Sequence, residues 1–319
     1  MDLFLFNHDE YNRLYNCSYD VNSIPLDERR RPILGYTLIA LGVMAELAYI
    51  PCCFVLWNPK MRDNSSCYKF MMMLSIVDVF SIPVVAIVTG TLGVMGAVFC
   101  TAPSFIYICG AIIMGTWIFN SLMATLLAIS RCIAILHGNL MQKLFSGNKP
   151  YFWAIPAFLY SAYFTLYTRT PVFTAFGFSW FFNPHHNYIE DITSQFHNVE
   201  HAYHNLSICF LTIGLYAFFA LAMLKKWNDA EFKQTKTQKR VFMQVFMISF
   251  CTCIATSTYV FMNFPFAPEF LSVASSFTYF GIHGIPPLIY FCLNESVQRR
   301  IKRMFNSNVV SVNAIEVAT

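Results

Sequence analysis

Four residues near position 200 have the types and the spacing of a metal site. His197, Glu200, His201 and His204 occur at i, i+3, i+4 and i+7, which is one face of a helix. The first three match the H-x-x-E-H pattern of inverted zincins, in which two histidines bind zinc and the glutamate acts as the base. A protease would also need an acidic ligand and its own cleft, and a short loop offers little scaffold for either. We interpret the cluster as a solvated loop face, with a metal site as the alternative.

A second group of polar residues lies inside apolar segments, where an ionisable side chain costs roughly 2.5–3.5 kcal/mol. Asp78 follows the apolar run Leu74–Val77, and Asn120 lies eleven residues, or three helical turns, before Arg131. A carboxylate and an amide at similar depth favour either a hydrogen-bond network that joins two helices or a small polar site for sodium. Glu46, in another apolar segment, is expected to be protonated and bonded to a neighbour.

The composition indicates the class of protein in which these residues occur. Of 319 residues, 56% are hydrophobic and 12% are charged, about half of the ~25% that is usual in soluble domains. This excludes a water-soluble globule, and it also excludes a disordered chain. The net charge of +4 is small, and no basic face is interleaved with aromatic residues, so nucleic acid is not an expected partner. The expected partner is the lipid bilayer.

The charges are absent from long blocks of the chain. A helix needs roughly 20 apolar residues to cross the hydrocarbon core. Strands are shorter and alternate, and no such alternation occurs, so the sequence predicts one seven-helix bundle without an internal repeat. The predicted helices cover residues 33–57, 67–92, 104–135, 151–173, 203–224, 241–262 and 270–293.

The cations predict how the bundle is oriented. With the N-terminus outside, 16 of the 21 Lys and Arg residues fall on the cytosolic side. Only the run Arg29–Arg31 favours the opposite orientation locally. We expect an extracellular arm over 1–32, without a cleaved signal peptide, and a cytosolic tail over 294–319. Asn16 begins the sequon Asn-Cys-Ser and is an N-glycosylation candidate on an external arm.

The end of the last predicted helix carries a hinge motif. Pro286 and Pro287 precede Tyr290 by about one turn, and a proline pair bends a helix, which suits a movable element. Beyond it, residues 294–305 alternate apolar and cationic side chains in the pattern of a short amphipathic helix lying along the inner leaflet.

These features together resemble a G-protein-coupled receptor, and more closely the nematode chemoreceptors of serpentine receptor class T. Individually the motifs are weak, but their order and spacing are specific, and the resemblance covers roughly residues 15–305. The motifs that carry it are Tyr15-Asn16-Cys17, Tyr49-Ile50-Pro51-Cys52, Ser66-Cys67-Tyr68-Lys69 running into Leu74–Asp78, Gly96-Ala97-Val98-Phe99-Cys100, Phe105-Ile106-Tyr107, Ala128-Ile129-Ser130-Arg131-Cys132 and Leu293-Asn294 after Tyr290.

The resemblance implies a ligand pocket between the outer halves of the helices and a G-protein contact at the inner face. Arg131 takes the place of the family arginine that engages a heterotrimeric G protein. The basic residues expected to support it are Lys225, Lys226, Lys239 and Arg240. Ser130 replaces the acid that usually restrains that arginine, and Pro286 stands where Asn is usual. The details of the activation motion therefore do not carry over.

The resemblance also bears on the disulfide. The usual outer bridge of such receptors joins the start of the third helix to the second extracellular loop, but residues 174–202 contain no cysteine. The external candidates are Cys17 and Cys100, and Cys109 lies deeper. We predict a bridge between Cys17 and Cys100 that ties the arm over the bundle.

The expected ligand is small and uncharged. Counting back from Arg131, the residues Ile113, Trp117 and Asn120 face the bundle, and Ile113 stands where amine receptors carry a salt-bridging aspartate. A mostly apolar, aromatic pocket suits a hydrophobic or weakly polar molecule. These residues could add polar contacts, although each alone is more consistent with ordinary packing: His204, Ser207, Tyr259, Asn263, Tyr279 and His283.

Two other classes of membrane protein compete with this interpretation. A transporter or channel would predict inverted repeats or several intramembrane charges, and neither is present. A retinal protein needs a lysine in the last helix, and residues 270–293 contain none. The sequence therefore predicts a chemosensory receptor without catalytic activity or cofactor, in the plasma membrane or, by family resemblance, the ciliary membrane of a sensory neuron.

Overall fold

The computed structural model describes residues 1–18, 24–63, 65–188, 195–226, 236–262 and 267–304. Within them, seven long helical segments follow one another in the order that the sequence predicts. They are α1 (Pro32–Leu56), α2 (Ser66–Met95), α3 (Pro103–Leu136), α4 (Lys149–Tyr167), α5 (Val199–Lys226), α6 (Lys236–Phe261) and α7 (Phe270–Gly284 with Pro286–Leu293).

Local sequence explains where several of these helices begin, kink and break. Proline occupies the first turn of α1, α3 and α4, where its missing N–H costs nothing. Pro83 opens a π-helical stretch, Pro83–Val88, inside α2. Pro286 and Pro287 interrupt α7 after Gly284, at the predicted hinge. Of the described segments, α1, α2, α3 and residues 243–261 of α6 are each long and apolar enough to cross a membrane.

The predicted fourth helix is too long at its C-terminal end. Helix α4 ends at Tyr167, and Val172–Thr174 (β1) pairs antiparallel with Ser179–Phe181 (β2). Pro171 disfavours a helical backbone conformation at Thr170, the residue before it. Residues 172–181 are also rich in β-branched and aromatic side chains, which favour strands. The hairpin is apolar because both of its strands are buried in the protein. A hydropathy pattern cannot distinguish such burial from contact with lipid.

The hairpin defines one end of the molecule, which we call the arm end. Short helices at Asp2–Phe6 and His8–Leu14 pack there. The rings of Phe4, Tyr11 and Tyr15 surround Tyr107 of α3 at centroid distances of 5.0–5.5 Å. Cys17 and Cys100 form a disulfide, the pair that the sequence analysis proposes. The arm is therefore a packed part of the fold.

Helix α3 lies at the centre and packs against α2, α4, α5 and α6. It also supports the hairpin through Gly110, where an added Cβ would fall 1.7 Å from the carbonyl oxygen of Pro171. The opposite end of the bundle, the far end, carries the helix Gly138–Phe145 and a last helix over residues 295–304. The sites described below lie along the axis between the two ends.

Candidate functional site

A cavity lies in the arm-end half of the bundle. Every long helix from α3 to α7 except α4 contributes to its wall, and the hairpin region contributes the roof. Among the described residues, no Asp, Glu, Lys or Arg lines it. The lining residues are Ile113, Met114, Trp117, Pro171, Trp180, Phe182, His201, Ala255, Tyr259 and Tyr279. An apolar, aromatic cavity of this kind suits a small neutral molecule.

The polar groups of the cavity wall are engaged with the protein. Trp117 donates its indole N–H to Oδ1 of Asn205 at 3.0 Å, and Tyr279 donates its hydroxyl to the carbonyl oxygen of Ile113 at 3.0 Å. The Trp117 and Tyr279 rings meet edge to face, with centroids 6.0 Å apart. Because these bonds fix the rings, the aromatic faces that a ligand would touch are already in place.

The hairpin closes the cavity toward the arm end. Trp180 donates its indole N–H to Oγ1 of Thr89 at 3.0 Å, and Ser276 donates its hydroxyl to the carbonyl oxygen of Phe178 at 2.7 Å. The hydroxyls of Ser179 and Ser275 are 2.7 Å apart. These bonds tie the roof to α2 and α7.

A buried polar cluster lies directly below the cavity, centred on Asp78. Its Oδ1 accepts from Nδ2 of Asn120 at 2.7 Å and from Nδ1 of His283 at 2.7 Å. Its Oδ2 accepts from the hydroxyl of Tyr49. One carboxylate thus joins α1, α2, α3 and α7. We call Asp78, Tyr49, Asn120 and His283 the Asp78 cluster.

A ring contact joins the Asp78 cluster to the cavity wall. Tyr279 lines the cavity, and its ring stands perpendicular to the imidazole of His283 at 5.3 Å. The two residues are one helical turn apart on α7. A change at the cavity wall therefore reaches the Asp78 cluster without an intervening residue. Nε2 of His283 is buried without a hydrogen-bond partner among the described residues.

The three donors on Asp78 bear on the two interpretations of this site. They give the arrangement of a hydrogen-bond network between helices, and the sodium site stays a prediction. Glu46 differs from expectation, because its buried Oε1 has no hydrogen-bond partner in the described part of the chain.

At the far end, polar side chains join α6 to the last helix. Arg240 forms an ion pair with Glu295, and one turn deeper Asn294 donates its amide to Oε1 of Gln244 at 3.2 Å. Tyr68 of α2 donates to Oδ1 of the same Asn294 at 3.4 Å. We call Arg240, Glu295, Gln244, Asn294 and Tyr68 the far-end contacts.

Arg131 and Tyr290, which the sequence singles out, lie close to this end. Nε of Arg131 and the hydroxyl of Tyr290 are buried and have no hydrogen-bond partner among the described residues. Ser130 bonds only to its own helix, at the carbonyl oxygen of Leu127, so it does not restrain Arg131. The side chains of Lys225, Lys226 and Lys239 lie outside the described part of the structure.

The structure separates the nine predicted ligand residues into groups. Ile113, Trp117, Tyr259 and Tyr279 line the cavity. Asn120 and His283 belong to the Asp78 cluster instead, and Asn263 lies outside the described residues. His204 and Ser207 line a groove between α3, α4 and α5 on the outside of the bundle, where His204 reaches the Ser121 hydroxyl at 2.9 Å.

The metal interpretation of the segment 197–204 does not fit the structure. His201 and His204 are buried in the bundle, whereas His197 and Glu200 are exposed. Helix α5 begins only at Val199, so His197 does not lie on the helical face that the spacing assumes. The described residues contain no group of three or more His, Cys, Asp or Glu side chains that could hold a metal ion.

Several cavity residues are not among the predicted ones. Met114 follows Ile113 directly, and Ala255 precedes Tyr259 by one helical turn, so spacing alone could have identified both. Pro171, Trp180 and Phe182 could not be identified this way, because the hairpin that carries them falls partly in the predicted fourth helix and partly in a predicted loop. His201 was assigned to the metal pattern.

Comparison with known proteins agrees with this architecture. Residues 1–314 match the family described as serpentine type 7TM GPCR chemoreceptor Srt. A relative from Caenorhabditis elegans, serpentine receptor class T-55, is 24% identical over 270 residues, which cover 83% of this chain and 72% of the relative. With the seven helical segments in place, the chain belongs to the Srt family of seven-transmembrane G-protein-coupled chemoreceptors.

Proposed function

We propose that this receptor binds a small uncharged ligand in the cavity around Trp117 and Tyr279 and signals through a heterotrimeric G protein at the far end. The arm end is then extracellular and the receptor lies in the plasma membrane. The observation that carries the proposal is the continuity between cavity and Asp78 cluster through Tyr279 and His283. A ligand that changes the position of Tyr279 acts directly on the carboxylate that joins four helices.

The mechanism is a shift between two arrangements of the bundle. In the one described, the Asp78 cluster joins α1, α2, α3 and α7, and the far-end contacts join α6 to the last helix. A ligand that prefers the other arrangement stabilises it by its difference in affinity for the two. Nε of Arg131 and the hydroxyl of Tyr290 have no partner among the described residues, and we expect these groups to gain partners when the G protein binds.

The experiment expresses the receptor with a promiscuous G protein and screens volatile and soluble uncharged compounds. A responding compound is then tested on Tyr279→Phe, which removes one hydroxyl, and on Tyr259→Phe as a matched change in the same cavity. We expect Tyr279→Phe to lower the maximal response and Tyr259→Phe to change mainly the half-maximal concentration. Equal effects of the two changes would contradict transmission through Tyr279.

A further inference from the structure

The cavity has a second side, which faces the membrane. A cleft opens between α5 and α6 and is separated from the cavity by three residues that line both, Phe182, His201 and Tyr259. Its outer rim includes Leu206 of α5 and Val260 of α6. The cavity and the cleft thus share a wall formed by these three residues.

Two residues of that wall, His201 and Phe182, are held less firmly than the roof. The His201 imidazole packs against the Phe182 ring, with centroids 5.1 Å apart, and its nitrogens lie 3.5 Å from the Asn205 amide, at the limit of a hydrogen bond. The roof has bonds of 2.7 and 3.0 Å to α2 and α7 and is continuous with the disulfide-linked arm. Together with Tyr259, these two side chains are what separates the cavity from the cleft.

The outside of the cleft has the surface of a lipid-facing region. On the same side of α5, Leu206, which lines the cleft, and Phe210, one turn further along, are 38% and 71% exposed, as expected for side chains that contact acyl chains. Helix α5 has 28 residues, or about 42 Å, and exceeds a hydrocarbon core of about 30 Å. Its first three turns, which border the cleft, therefore lie near the boundary between headgroups and acyl chains.

We infer that the ligand enters from the outer leaflet through the cleft between α5 and α6, past Phe182, His201 and Tyr259, and is a neutral amphiphile that partitions into the membrane. Its apolar part fits the aromatic cavity, and one hydroxyl or carbonyl group finds His201 and Asn205 at the threshold. This inference rests on the proposed function, because it concerns the route to the same cavity.

The test uses chemical probes, so it needs no identified ligand. Ile113→Cys places a thiol in the cavity wall, and Met114→Cys provides a second position in case the first variant does not fold. The receptor in lipid vesicles is treated with neutral N-phenylmaleimide or with the same maleimide carrying a ring sulfonate, which stays in water. Peptide-resolved mass spectrometry separates the new thiol from the nine native free cysteines.

We expect N-phenylmaleimide to modify the cavity thiol at least tenfold faster than the sulfonate. Adding Ala202→Phe, which narrows the cleft, should slow the reaction several-fold, and Phe182→Ala should accelerate it. Ala217→Phe, elsewhere on the exposed surface of α5, should have no effect. Replacing Cys17 and Cys100 by Ser, which releases the arm, should also leave the rate unchanged.

Entry from the arm end would give the opposite result: releasing the arm accelerates labelling, Ala202→Phe has no effect, or the sulfonate reacts as fast as the neutral probe. Any of these overturns the inference. Because labelling does not involve a G protein, a receptor that labels through the cleft but never signals would instead contradict the proposed function.

Discussion

The two ends of the bundle are closed by different chemistry. At the arm end, a disulfide, a buried hairpin and a cluster of aromatic rings around Tyr107 form a continuous cover. At the far end, α6 and the last helix meet through an ion pair and amide hydrogen bonds, of which the Arg240–Glu295 pair is partly exposed. The disulfide and the packed rings of the arm end are lost only when that part of the protein unfolds. The few polar contacts of the far end can exchange partners without unfolding. We therefore expect the arm end to determine stability and the far end to determine signalling.

The largest effect should follow removal of the disulfide. The bond closes a segment of 83 residues, and a cross-link of this kind stabilises a protein by about 2–4 kcal/mol. Replacing Cys17 and Cys100 by Ser should lower the thermal unfolding temperature strongly while leaving basal signalling, corrected for surface expression, unchanged. The control is Cys292→Ser, an exposed free thiol. A strong rise in basal signalling would show that the arm end also restrains activity.

A change of one methyl group tests the packing between hairpin and α3. Gly110→Ala places a Cβ 1.7 Å from the carbonyl oxygen of Pro171, and overpacking typically costs 1–3 kcal/mol. We expect a loss of about 2 kcal/mol, measured by thermal unfolding in detergent. Gly214→Ala on α5 is the matched control, because nothing lies within 4 Å of its added Cβ. Equal stability of the two variants would mean that the hairpin shifts easily.

The pH dependence of stability tests the segment that follows the hairpin. Burial lowers the pKa of His186 to about 4, and its ring is stacked on Phe181 at 3.7 Å. The unfolded chain therefore binds the proton first, so this stability is complete above the ordinary pKa of about 6.5 and is lost as the pH falls toward 4. Between pH 7 and pH 5 we expect a loss of about 2 kcal/mol from this residue.

The measurement for His186 is thermal unfolding at the two pH values. His186→Phe, which keeps the stack without a titrating group, should reduce the difference between them. Burial also lowers the pKa of His185, so some dependence should remain. A variant with the full pH dependence of the parent would show that His186 does not contribute to it.

The smallest change in free energy concerns the far end, yet it should give the clearest change in signalling. The side chains of Arg240 and Glu295 are 37% and 29% exposed, and such pairs contribute about 0.2–1 kcal/mol. Glu295→Arg should leave the unfolding temperature nearly unchanged and raise basal signalling about two- to threefold. Arg240→Glu combined with Glu295→Arg restores the pair in reverse and should restore the basal level. Failure of the double variant to do so would mean that the charges act separately.

How much the sequence predicts depends on whether local pattern or long-range packing decides a feature. The helical segments follow from blocks without charge, and the break in α7 follows from Pro286 and Pro287. The hairpin was missed because an apolar run reads the same whether its side chains face lipid or other protein segments, as at Val172 and Phe173. The helical spacing of Ile113, Trp117 and Asn120, two turns in all, places them together on α3, but it cannot separate residues of the cavity from residues of the Asp78 cluster.

Contacts between distant segments account for the rest. Nothing in the sequence indicates that Asp78 accepts from Tyr49 and His283, which are 29 and 205 residues away. The same holds for the pair Arg240 and Glu295. Buried carboxylates need donors, so their existence could be expected, but the choice among many Tyr and His residues depends on how the helices are rotated.

The central claim is that binding in the cavity and coupling at the far end are separate properties joined through the bundle. It is tested most directly with Arg131→Ala, measured for both ligand binding and G-protein activation with a compound found in the screen. We predict that the compound still binds, with an affinity within a few-fold of the parent, while G-protein activation is abolished. Signalling by Arg131→Ala equal to that of the parent would contradict the account.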